Sequence, residues 1–357
     1  MVKLLGVIAL GVLLSACTST ASQPSAVSQS TPASAAATGS ASTAATTPAA
    51  SASATAAASP GGALRVTADI DLGPLSAQGQ PVAAEAPDGT VFYADGQVVM
   101  VVNGDGAPQA AEHPGAKVLG IGASASELYV VTPQALIAYS RSTGNQTGRL
   151  ALTGSPATPT TAGVAVGGNG DVWVWTDWAT DFSGYEYAMV YAVLPGAAKP
   201  DVLSTAGEPG TLTTDGTHAY FLVASKNSLG ASLMEATSGP QASSVAAAPT
   251  QALVGFSESQ VVLYAQPDSL YTYTPGAAGT TVVTTHAALP VWVAGTSSGL
   301  LFLTCSKQAC STVTQVNQSS GTTVVSVAVP ANSDILLGPD PVVVGVESGH
   351  LHLVRLS

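Results

Sequence analysis

Charge is scarce in this chain. Asp, Glu, Lys and Arg make up 8% of its 357 residues, against about 25% in an average domain. The charge present is mostly acidic, with 21 Asp and Glu against 9 Lys and Arg, for a formal net charge of −12. No cluster of Lys and Arg occurs, which argues against a nucleic-acid partner, since phosphate binding rewards exactly such clusters. No stretch of helical period competes with the strand patterns. The longest leading apolar run, residues 4–14, is far shorter than the roughly 20 residues that span a bilayer. Gly-x-Ser-x-Gly elbows, phosphate loops, His-Glu-x-x-His and Asp-x-Asp-x-Asp-Gly loops are all missing. These absences leave no catalytic residues, cofactor or metal to name.

What is present falls into three parts. Residues 1–16 read as a signal peptide: Lys3 supplies the positive region, and Leu4 opens the apolar run. Residues 17–62 are Cys17 followed by Ala, Ser, Thr and Pro without a charged residue, a composition that cannot bury enough apolar surface to order itself. As a random coil it spans roughly 35 Å. It is either a bare spacer or an O-glycosylated stalk. Residues 63–357 form the folded domain.

In that domain hairpin-like strand pairs recur about every 40 to 45 residues, the mark of a β-propeller. Val91-Phe92-Tyr93 with Val98-Val99-Met100 is the first pair. Leu128-Tyr129-Val130 with Ala135-Leu136-Ile137 is the second. Val172-Trp173-Val174 with Met189-Val190-Tyr191 is the third, and Tyr220-Phe221-Leu222 with Ser232-Leu233-Met234 the fourth. Val261-Val262-Leu263 with Leu270-Tyr271-Thr272, Leu301-Phe302-Leu303 with Thr312-Val313-Thr314, and Val342-Val343-Val344 with Leu351-His352-Leu353 complete the series. The expectation is an all-β, seven-bladed β-propeller of four-stranded antiparallel blades. Residues 64–72 alternate Leu64, Val66, Ala68, Ile70 and Leu72 with Arg65, Thr67, Asp69 and Asp71, a period-2 strand. It is expected to supply the outer strand of the last blade and close the ring.

Two resemblances add to this. Leu14-Ser15-Ala16-Cys17 resembles the lipobox of bacterial lipoproteins. That resemblance implies cleavage before Cys17, a diacylglycerol on its sulfur, and anchoring to the outer face of the cell membrane. An ordinary cleaved signal with an incidental cysteine is the alternative. Tyr129-Val130-Val131-Thr132, followed by Ser140-Arg141-Ser142-Thr143-Gly144, resembles the YVTN and quinoprotein-like propeller repeats, although their acidic turn residue is absent here. This resemblance covers about 25 residues and implies a fold rather than a chemistry.

The third repeat carries the one conspicuous insertion, residues 176–187. Trp175, Trp178, Phe182, Tyr185 and Tyr187 stand there beside Asp177 and Asp181. Exposed rings among carboxylates suit a sugar, a peptide or a cationic group; the same rings can instead pack on one another over the channel mouth. Trp173 and Trp175 on the strand itself suit packing between blades. Cys305 and Cys310, one pair in an exported chain, suit a disulfide. His350 and His352 share a strand face, as zinc ligands can, and equally fit a polar stripe. The functional expectation is an envelope-anchored, monomeric, non-catalytic propeller that binds a protein or glycan. The alternative is an exported enzyme on the same fold: a lyase, a glycosidase or a quinoprotein-like dehydrogenase.

Overall fold

Alternating and β-branched runs become strands wherever a neighbour can accept their backbone hydrogen bonds. The structure, a computed structural model, describes residues 64–357 apart from 75–80, 154–157, 181–185, 225–229, 238, 240, 249–251, 258, 266–268, 285–289, 297–298, 307–308, 332 and 339–340. The first strand is β1 (Val66–Pro74). A sheet follows of β2 (Ala83–Glu85), β3 (Val91–Asp95), β4 (Val98–Val102) and β5 (Gln109–Glu112). The next comprises β6 (Gly120–Ala123), β7 (Glu127–Val131), β8 (Ala135–Ser140) and β9 (Gln146–Ala151).

A larger sheet contains β10 (Ala162–Val166), β11 (Val172–Thr180), β12 (Glu186–Val193), β13 (Asp201–Gly207), β14 (Thr213–Thr214), β15 (Ala219–Ala224), β16 (Ala231–Ala236) and β17 (Ala242–Ala248). Two more four-stranded sheets come after it. One is β18 (Ala252–Ser257), β19 (Gln260–Ala265), β20 (Ser269–Tyr273) and β21 (Thr281–Thr284). The other is β22 (Pro290–Thr296), β23 (Gly299–Ser306), β24 (Ala309–Val316) and β25 (Thr323–Ala328). The last sheet takes β26 (Ser333–Leu337), β27 (Val342–Glu347) and β28 (His350–Leu356), with β1 as its outer strand.

The expectation of seven four-stranded blades is therefore corrected. Among the described residues there are five four-stranded blades, and the third and fourth hairpins share a single eight-stranded sheet. The cause is local. β13 does not stop at the edge of its own hairpin; Gly207, its last residue, pairs with Ala188 behind it and with Val223 of β15 ahead of it. The chain then turns at Glu208, where the Thr211 hydroxyl donates to the Glu208 carbonyl, and only two residues remain to form β14. Glycine is needed at 207, because a Cβ there would lie 2.7 Å from a Val190 methyl.

The core is a set of apolar clusters between neighbouring sheets. Phe92, Val99, Leu128, Val130 and Ile137 join the first two sheets. Trp173, Val190 and Ala192 meet Ala219, Phe221 and Ala236 across the two halves of the large sheet. Val91 and Tyr93 of the first sheet meet Val342, Val344, Leu351 and Leu353 of the last, closing the circle. β1 lies two residues later than the sequence pattern placed it. Bulges between Val66 and Ala68 and between Asp71 and Gly73 shift its register, and Gly73 takes a φ of +97°.

Candidate functional site

In each antiparallel sheet, the turns joining first to second and third to fourth strands lie at one end. Those joining second to third lie at the other. The insertion expected at 176–187 is at this second end, and the structure corrects its character. It is not mainly loop: β11 and β12 stay paired out to Thr180 and Glu186, with a bulge between Asp177 and Ala179. The flanking strands stop earlier, β10 at the level of Thr176 and β13 at the level of Ala188. The hairpin therefore extends beyond its neighbours. Trp178 stands at its bulge, and Asp181, Phe182 and Tyr185 fall outside the described residues.

Two of the expected ligand residues have structural work instead. The Trp175 indole lies across Gly163, its register partner, so closely that a Cβ at 163 would overlap the ring nitrogen. This is an aromatic covering a glycine on the adjacent strand. The Asp177 carboxylate accepts the backbone N–H groups of Thr160 (2.8 Å) and Thr161 (2.7 Å) and the Thr160 hydroxyl (2.6 Å). It fixes the segment entering β10. Tyr187 is half-buried at the root of the hairpin. Trp173 is fully buried between the halves of the large sheet, as its strand position suggested.

Glu208 lies at the same end, next to Gly207 and two strands over from Asp177, and is only 6% exposed. Sequence reasoning missed it. The available signal was a carboxylate in the uncharged run from Ala206 to the Pro209-Gly210 turn.

The opposite end holds polar clusters that the sequence did not bring together. A cleft of about 380 Å³ lies among Ser124, Glu127, Tyr129, Gly168 and Asn169, at the turns of three successive hairpins. The Tyr129 hydroxyl donates to Glu127 Oε2 at 2.6 Å and the Thr147 hydroxyl to Oε1 at 2.9 Å. Burial, and then the Glu127 acceptor, push the Tyr129 phenol above its ordinary range. Beside it Arg141 reaches back to the first sheet. Its Nη2 forks onto Asp88 at 2.7 and 2.9 Å, its Nη1 donates to the Ser124 and Ala125 carbonyls, and its guanidinium lies 5.4 Å from the centre of the Phe92 ring. Burial raises the Asp88 carboxyl, but the bonds from Arg141 and Thr90 outweigh it and hold the group below the usual carboxylate range.

Also at this end, His218 Nδ1 sits 2.9 Å from Asp215, and its Nε2 is 3.9 Å from Glu235. Asp215 further accepts the backbone N–H groups of Thr217 and His218 and the Tyr220 hydroxyl. Burial opposes ionisation of Asp215, yet those four bonds keep its carboxyl low. Asp88 receives the Thr90 N–H in the same way, so these aspartates first of all close turns.

Elsewhere, Cys305 and Cys310 are register partners across the β23–β24 hairpin. His350 faces Asp71 of β1 and His352 faces Asp69. Among the described residues no group of three His, Cys, Asp or Glu could hold a metal ion. Among those residues, too, no helix is long and apolar enough to cross a membrane. Cys17 lies outside the described residues.

No protein-family profile matches the sequence, and no curated protein matches it either. Solved structures do. The chain is similar to a chain of the mitotic checkpoint complex, with 11% identity over 82% of this chain and 94% of that one and a TM-score of 0.57. It is similar to the Cps50 (Swd1) β-propeller domain of Myceliophteria thermophila, with 11% identity over 82% and 100% and a TM-score of 0.56. Hydrazine synthase of Kuenenia stuttgartiensis matches with 10% identity over 80% and 96% and a TM-score of 0.55. At such identities the likeness is one of fold, and the fold is a β-propeller.

Proposed function

We propose that this chain is a lipid-anchored envelope protein whose propeller is a non-catalytic binding or scaffold module for a protein or glycan. The observation that carries the proposal is the β11–β12 hairpin, which extends past both flanking strands and brings Trp178 and Tyr187 to the end of the sheet. Its aromatic and acidic composition suits a sugar ring, a peptide or a cationic group. Cys17 carries the lipid, residues 18–62 hold the domain off the outer face of the membrane, and the propeller works as a monomer. Cys305 and Cys310 form a disulfide across their hairpin, a short loop worth roughly 2 kcal/mol.

Pull-down from the native envelope with wild type and with a Trp178→Ala, Tyr185→Ala variant tests the binding role. Loss of the recovered partner or glycan supports it; equal recovery removes the hairpin from consideration. Metabolic labelling with a fatty acid tests the anchor, since Cys17→Ala abolishes the label if the lipobox reading is right. A second reading, an exported propeller enzyme, draws support from Glu208, a buried carboxylate at the hairpin end. Glu208→Gln would then abolish turnover while leaving partner recovery intact.

A further inference from the structure

The cleft beside Glu127 lies at the end of the sheets opposite the β11–β12 hairpin. Its volume of about 380 Å³ is walled by the same turn of three successive sheets. Pro87 belongs to the β2–β3 turn, residues 124–126 to the β6–β7 turn and residues 167–170 to the β10–β11 turn. The three turns meet because β6 packs against both β2 and β10.

Most hydrogen-bond donors on these walls are already used. The Ser124 hydroxyl donates to the Glu127 carbonyl, the Tyr129 hydroxyl to Glu127 Oε2, and the Asn169 amide to Asp171 Oδ2. The N–H groups of Gly167, Gly168 and Gly170 go to the carbonyls of Asp171, Gly216 and Gly167. Acceptors remain. An ionised carboxylate has about four lone-pair sites, and Glu127 gives one oxygen to Tyr129 and the other to Thr147. Half-buried Glu127 forms no ion pair among the described residues. Arg141, which donates to the Ser124 and Ala125 carbonyls, is paired with Asp88 instead.

From this excess of acceptors around one unpaired carboxylate we infer that the cleft binds a primary ammonium group on a short alkyl arm. An ammonium carries three donors and no acceptor, the complement of walls whose donors are used. It meets Glu127 through a charge-assisted hydrogen bond, about twice as strong as a neutral one. Pro87, Ala123 and Val166 supply apolar wall for the arm. The net charge of −12 draws cations toward the chain. A bare calcium ion is poorly matched, since it takes about six to eight oxygens and one carboxylate is all the acid that lines the cleft. The ammonium belongs either to a free alkyl amine or to a lysine side chain of a partner.

Titration calorimetry of the full chain at pH 7 tests the site, with n-butylamine as probe and 1-butanol as its uncharged counterpart. Butylamine should bind at least about tenfold more tightly than butanol, the range for a hydrogen bond to a charged group. Glu127→Gln should weaken butylamine binding by about tenfold or more while the melting temperature stays near that of wild type. Ser126→Lys, at an exposed turn position, places a competing ammonium at the cleft and should cause a similar loss. Asp105→Asn removes the same charge outside the cleft, at a side chain 72% exposed, and should change binding less than about twofold. Nα-acetyl-lysine methylamide separates the two sources: tighter binding than butylamine assigns a partner's lysine, weaker binding a free amine. Absence of butylamine binding, equal binding of butanol, or a loss with Asp105→Asn as large as with Glu127→Gln overturns the inference. Wild-type affinity in folded Ser126→Lys protein overturns it too.

Discussion

The large sheet and the last sheet solve the same problem by opposite means. Both join stretches of chain that must hold against their neighbours around the ring. In the large sheet the joint is continuous backbone: Gly207 links β13 to β15, and the halves bury Trp173 and Phe221 between them. In the last sheet the joint is between the two chain ends. β1 and β28 are held by a ladder, a half-buried apolar face, and two His–Asp pairs in solvent. The first rests on dry packing; the second rests on a half-buried face and on pairs open to solvent. Dry packing contributes most to stability, and exposed pairs contribute little.

The largest expected effect comes from removing the weaker joint outright. Deleting residues 63–74 exposes the β28 edge, and the domain should become insoluble or lose its cooperative melting transition. A soluble, cooperatively melting deletion would erase the distinction between the two sheets. Next is Trp173→Ala, which empties a fully buried site in the strong joint. Chemical denaturation should show a loss of about 3–5 kcal/mol. Gly207→Val should follow at about 1–3 kcal/mol, since its side chain must displace Val190. If exchange protection of β15 falls with it while β19 is unchanged, the continuous backbone is the joint.

A smaller effect concerns acid. Asp88 and Asp215 have carboxyls held below their unfolded-state values, so the stability they add is present above about pH 4 and lost as pH falls through their native values. Asp88→Asn should flatten the acid limb of a melting-temperature profile between about pH 4 and 2 with only a slight change at pH 7. An unchanged acid limb would show that the Arg141 fork does not contribute there.

Much of this architecture was legible in the residues, and the failures are specific. Strands such as Val91–Asp95 and Ala135–Ser140 follow from β-branched and aromatic runs broken by turn residues. The closing strand followed from strict alternation of Ile70 and Leu72 with Asp69 and Asp71. The blade count did not follow, because one backbone pair at Gly207 decides whether two hairpins share a sheet, and no residue type announces it. The candidate site was half legible. The richness of residues 175–187 was visible, but the assignment of Asp177 to Thr160 and Thr161 depends on which strand β11 lies beside. Arg141 and Asp88 are 53 residues apart, and His350 and Asp71 are 279 apart. Pairs at such separations carry no local periodicity.

By itself the sequence determined the all-β class, the repeat, the strand that meets the C-terminal hairpin, and the poverty of charge. Those properties are local: periodicity, β-propensity and composition act within a few residues. Only the tertiary structure decided that two hairpins fuse, that Trp175 covers a glycine, and that two histidines find two aspartates. Those outcomes depend on register between distant strands, where a shift of one residue turns every side chain to the other face.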